Sequence, residues 1–172
     1  MTQTLYISIA MAIGIGTALQ TVMLSSVGRS RGPVEAAWIS LLATICGVSL
    51  VFGIKVVRGD DVGLPEPFNR ILVFVAIALV AAVALVLSLR GLDSYLALTG
   101  LYGLVYLISA GFLAPKIGIA LFASAVTAGT LLGSVAADHV GLFGVDIHRL
   151  SLFRILGVFC LLLGVLLVRS GR

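Results

Sequence analysis

Nineteen consecutive residues, Ile71 to Leu89, read ILVFVAIALVAAVALVLSL, and Ser88 is the one polar side chain among them. At about 1.5 Å per residue such a helix is about 28 Å long, close to the roughly 30 Å depth of a bilayer's hydrocarbon core. There every backbone N–H and C=O must be satisfied within the segment, which for a single uninterrupted run means an α-helix. The rest of the chain is nearly as apolar, with 60% hydrophobic residues, 10% charged and a mean hydropathy of +1.23, against about 25% charged in soluble domains. A soluble core cannot absorb that much apolar surface.

The pattern predicts an all-α polytopic membrane protein, a single transmembrane domain over 1–172 with helices at about 4–26, 34–57, 70–90, 94–114, 117–137 and 151–169. Local residues punctuate it. Gly28 and Gly32-Pro33 divide the first two helices, and Gly59 with Pro65 and Pro67 ends the second. Gly91 with Asp93-Ser94 separates the third from the fourth, and Pro115-Lys116 the fourth from the fifth. Ser151 stands as N-cap of the last helix. Almost nothing remains outside the bilayer, so function must reside in the spans.

A net charge of +4 would suggest nucleic acid in a soluble chain, but here the basic residues sit singly at helix ends and read as topological anchors. Lys55, Arg58, Arg70, Lys116, Arg169 and Arg172 fall on one face, and Arg29, Arg31, Arg90, Arg149 and Arg154 on the other. So small a bias gives no orientation; it reads as a weakly biased protein, with insertion in both orientations as the alternative. Cys46 and Cys160 lie in apolar runs without metal-ligand spacing, and neither His139 nor His148 has the neighbours of a metal site. The N-terminal segment lacks a basic n-region and reads as a retained span. No phosphate loop, nucleophile elbow or zinc-protease pair is present, so neither an enzyme nor a cofactor or metal is expected.

The fifth helix carries Ala125, Gly129, Gly133 and Ala137 at four-residue spacing, a stripe that lets another helix approach closely and reads as a packing seam. The third helix has no glycine and suits the lipid-exposed periphery of a bundle. The stretch GLYGLVYLISAGFLAPKIGIALFASAVTAGTLLGSVAADHVGLFG, followed by RLSLFRILGVFCLLLGVLLV, and IGIGTALQTVM in the first helix resemble the YdcZ-like family of bacterial inner-membrane proteins. That family lies within the drug/metabolite transporter (DMT) superfamily. The run from Asp138 through His139 and Gly141 to Gly144 is the most specific part, with Pro115 to Gly118 in support.

The resemblance implies a multi-pass protein of the bacterial inner membrane, a DMT/EamA-like half-transporter that moves an unknown small organic solute by alternating access as a homodimer. Two departures stand out. The family pattern has five spans, and 70–90 reads as one inserted helix, which unsettles the parity of an antiparallel dimer. Where the family commonly places a glutamine, this chain has Thr130. The alternative is a non-transport assembly or scaffold subunit whose glycine seams hold a partner membrane protein.

Polar groups within the spans are the candidates for a substrate cavity. Gln20 must find partners in hydrocarbon, either as an interhelical hydrogen bond worth about 0.6 kcal/mol or as a ligand contact, and Thr21 shares its position. Tyr102 and Tyr106, four apart on the fourth helix, can stack on an organic cation or pack with their hydroxyls bonded to a neighbour. Ser124, Thr127 and Thr130 supply hydroxyls on the fifth helix, though such residues commonly bond back to a preceding carbonyl. Glu35 either complements the dipole of the second helix or, seated deeper, couples proton movement to transport. Asp138 and His139 read as loop-ordering and capping groups.

Overall fold

The computed structural model describes residues 2–149 and 151–170, and among them all regular structure is helical. Arg172, counted above among the basic residues, lies outside the described residues. Among the described residues six helices are long and apolar enough to cross a membrane. They are α1 (Thr2–Arg31), α2 (Pro33–Val57), α3 (Ile71–Ser88), α4 (Thr99–Ile117), α5 (Ile119–Val140) and α6 (Leu152–Ser170), with short 3-10 turns at Ser94–Leu98 and Leu142–Gly144.

The breaks follow backbone chemistry. Gly32 adopts φ 116°, where a side chain is strained, and Pro33 follows at the first helical position, so α1 ends and α2 begins within two residues. Gly28 does not interrupt α1: its carbonyl accepts the Gly32 N–H at 3.0 Å and the helix runs on to Arg31. Nor does Pro115-Lys116 separate α4 from α5. Pro115 lies in the last turn of α4, where its ring removes one hydrogen bond without stopping the helix, and the break falls at Gly118 with φ 84°. Asp138 and His139 are likewise helical, in the last turn of α5, with left-handed Gly141 as its C-cap. Ser151 caps α6 through the Arg154 N–H, which donates to its Oγ at 3.3 Å.

The chain forms two compact units, residues 27–104 and residues 1–26 with 105–172. In the first, α2 and α3 form an antiparallel hairpin in which Phe52 and Phe74 stack with ring centroids 5.1 Å apart. The start of α4 packs on α2, where Thr44 Oγ1 lies 2.8 Å from the Ser40 carbonyl and 3.0 Å from that of Gly100. A Cβ on Gly100 would stand 2.5 Å from the Ala43 Cβ, which keeps the position at glycine.

Arg31 finishes this unit. Its guanidinium donates to the Ser88 carbonyl at 2.5 Å and to the Arg90 carbonyl, closing the C-terminal end of α3 where orphan carbonyls and the helix dipole favour a cation. The single polar side chain of α3 is also engaged, because the Trp38 indole N–H donates to Ser88 Oγ at 3.2 Å. We expect Arg31→Gln to destabilise the protein by about 1.5 kcal/mol, the lower value for a hydrogen bond to a charged group. A lowered thermal midpoint would register it, and an unchanged midpoint would show that the clasp contributes nothing.

The second unit has a core of Ile7, Ala10 and Ile13 from α1, Leu113 and Ile117 from α4, Leu121, Phe122, Ala125, Val126 and Ala128 from α5, and Val165 from α6. The Lys116 Nζ lies over the ring of Phe112, 3.5 Å from its centre, and 5.4 Å from the centre of the Tyr6 ring, so its charge faces two aromatic rings. Arg169 reaches Thr4 Oγ1 at 3.2 Å, linking the last helix to the first.

Candidate functional site

The second unit is organised by α5. On one face it meets α1 almost backbone to backbone. A Cβ on Gly129 would stand 2.9 Å from the Met11 Cα, one on Gly133 2.7 Å from the Ala18 Cβ, and one on Gly14 3.0 Å from the Gly129 Cα. Ala125 and Ala137, the other two residues of that stripe, are buried. So close a crossing gains van der Waals contact along its length.

On roughly the opposite face, about 200° round the helix from Gly129, Thr127 joins Ser124 in a groove between α5 and α6. The groove measures about 340 Å³ and is completed by Ala123, Leu161, Gly164, Val165 and Val168. Ser124 Oγ donates to the Ala120 carbonyl at 2.6 Å. Its proton is therefore committed to its own helix, while its lone pairs face the groove as acceptors.

The remaining cavity candidates lie elsewhere. Thr130 stands at the edge of the α1 crossing, its hydroxyl donating to the Val126 carbonyl at 3.0 Å. Thr21 is exposed and bonded to the Thr17 carbonyl at 2.9 Å. Gln20 is half-buried, about 200° round α1 from Ala18, and is engaged in a polar or electrostatic contact. Tyr106 packs its ring 6.2 Å from that of Phe122, on the α4–α5 contact. Tyr102 belongs to the other unit, as does Glu35. Glu35 is exposed in the first turn of α2, with its carboxylate folded back over Gly32.

The Asp138 to Gly144 run closes the α5–α6 connection. Asp138 Oδ2 accepts from Arg154 Nη1 at 3.1 Å, with both side chains about one-third exposed. The Asp138 carbonyl accepts the His148 N–H at 2.9 Å. One residue thus ties the end of α5 to both the loop and the first turn of α6. Sequence reasoning missed this pair by placing Asp138 in a loop and reading Arg154 as an anchor; opposite charges flanking a glycine-bounded connection were the signal. We expect Asp138→Asn to cost about 0.2–1 kcal/mol, the range for a solvent-screened pair. In a double-mutant cycle with Arg154→Gln the two losses should be less than additive, and full additivity would mean the pair does not couple.

Among the described residues no group of three His, Cys, Asp or Glu side chains could hold a metal ion. Residues 68–167, more than half of the chain, match the family described as "Putative inner membrane exporter, YdcZ". The chain belongs to this family. The matched stretch runs from just before α3 to near the end of α6, so the YdcZ pattern takes in the third helix, read from sequence as inserted, along with both walls of the α5–α6 groove. No curated protein and no solved structure matches the chain. As a YdcZ member with six candidate spans, it is a multi-pass inner-membrane protein of an exporter family.

Proposed function

We propose that the protein is a secondary transporter of a small organic solute, working as a homodimer by alternating access. The family match carries this reading. In support, the spans take up most of the chain, so a solute path is to be built from them. The α5–α6 groove is the place we assign to the solute: its apolar walls suit an amphipathic molecule, and the Ser124 lone pairs suit one with hydrogen-bond donors. One copy has fewer helices than the ten-helix transporters of the superfamily it resembles, so two copies form the working unit. The near balance of basic residues lets the two insert in opposite orientations.

The test is flux in liposomes for organic cations, amino acids and sugars, with and without a pH gradient, against Gln20→Leu as control. Saturable flux that Gln20→Leu abolishes supports a carrier with a role for that amide. Flux that persists in Gln20→Leu removes Gln20 from the path. Loss of pH-gradient dependence in Glu35→Gln would give Glu35 the coupling role, and its retention would leave Glu35 as a charge that complements the α2 dipole. The exposure of α6, which buries only 6% of its span, favours a second reading as an assembly subunit. It predicts no flux from folded protein and a stable complex with another membrane protein.

A further inference from the structure

In the unit formed by residues 27–104, α2 and α3 line a groove of about 630 Å³, well inside the range of roughly 300–1,000 Å³ for small-ligand sites. Its walls are Leu50, Ile54 and Val57 on α2 and Phe74, Val75 and Leu79 on α3, opened by the missing side chain of Gly53. It runs from Cys46 to Arg58, about 18 Å at the helical rise, slightly more than half of a roughly 30 Å hydrocarbon core. That is the depth of one leaflet.

The mouth differs in chemistry from the walls. Three basic residues gather at this end of the hairpin, and two are occupied. Lys55 Nζ donates to the Asp61 carbonyl at 3.1 Å, and Arg70 pairs with Glu66 at 3.6 Å. Arg58, which lines the groove, makes no ion pair or hydrogen bond through its side chain among the described residues. Beside it α3 begins at Ile71, also a groove residue, with no side-chain cap on its N-terminus. The antiparallel hairpin therefore brings a spare guanidinium and the positive end of a helix together at the membrane surface, over an apolar channel one leaflet deep. An anion is favoured at each.

We infer that this groove is a binding site for an anionic phospholipid, with one acyl chain lying between α2 and α3 and the headgroup phosphate held by Arg58 and the N-terminus of α3. A zwitterionic lipid fills the channel equally well but carries its own cation to the mouth, so the site discriminates by headgroup. The site is independent of the transport groove, and its failure would leave the transporter reading untouched.

The experiment is native mass spectrometry of the purified full chain in mild detergent, counting lipid retained after exposure to equal amounts of phosphatidylglycerol and phosphatidylcholine. The wild type should retain one phosphatidylglycerol per chain, in about fivefold preference, the factor one cation gives at a membrane surface. Arg58→Gln should level the two lipids, whereas Arg58→Lys should keep most of the preference. Gly53→Trp, at a position with nothing within 4 Å of a Cβ, should expel both lipids while the helical circular dichroism is unchanged. Equal retention of the two lipids by the wild type, preference surviving in Arg58→Gln, or retention surviving in a folded Gly53→Trp would each overturn the inference. So would a dimer that dissociates in Gly53→Trp with no change in bound lipid, since the groove would then hold a second copy.

Discussion

Gly129→Leu should lose the α1–α5 crossing and with it the folded protein under mild conditions. The Cβ alone would stand 2.8 Å from the Met11 carbonyl carbon and 2.9 Å from its Cα. These are backbone atoms of a 30-residue helix and cannot rotate aside as a side chain could. The helices must separate along the contact that Gly14, Gly129 and Gly133 make, exposing Ala10, Ala125 and Ala128, which are now almost wholly buried. The upper end of the usual overpacking cost, about 3 kcal/mol, is the minimum expected, a fall in thermal midpoint of about 6–12 °C for a chain of this size. Gly157→Leu is the matched comparison. That glycine lies on exposed α6 with nothing within 4 Å of a Cβ, so the same change should leave stability intact or raise it by about 0.8 kcal/mol through helix propensity. Circular dichroism melts of the two variants decide it, and equal midpoints would show that the crossing is not tight.

Thr127→Trp should cut solute flux by about ten- to a hundredfold without lowering stability. Thr127 is exposed on the groove wall of α5, where a large apolar side chain displaces no buried neighbour and changes stability by about 0.5 kcal/mol at most. Any solute held between α5 and α6 must then share its space with an indole. An overpacking cost of about 1–3 kcal/mol, placed on the bound or transition state, gives that loss of rate. Flux of a transported solute in liposomes and the thermal midpoint of the same sample separate the two effects. Undiminished flux would move the solute path away from this groove, and a fall in both would mean that the substitution acts through folding.

The spans were legible because hydrocarbon admits few alternatives: a long apolar run must satisfy its own backbone, and a helix does so. The Gly32-Pro33 junction was legible for a similar reason, since positive φ and a fixed proline φ are properties of those residues in any context. Pro115 misled because a proline costs a helix one backbone hydrogen bond without always ending it, and membrane helices carry prolines where neighbouring groups satisfy the freed carbonyl; here the helix runs on to Ile117.

Ser124, Thr127 and Thr130 of α5 could be seen as polar from sequence, but not which neighbour each would meet. Ser124 and Thr127 face α6, and Thr130 stands at the α1 crossing, because the glycine stripe admits α1 on its own side. Arg31 on the carbonyls of α3 was also beyond a linear reading, whereas the Asp138–Arg154 pair left its signal in the opposite charges that flank the α5–α6 connection. Residue chemistry along the chain was enough to make it a set of membrane-crossing helices and to set where most of them turn. The tertiary structure decided which faces meet, because close approach of backbones, spare charges and open grooves arise only when segments distant in sequence come together.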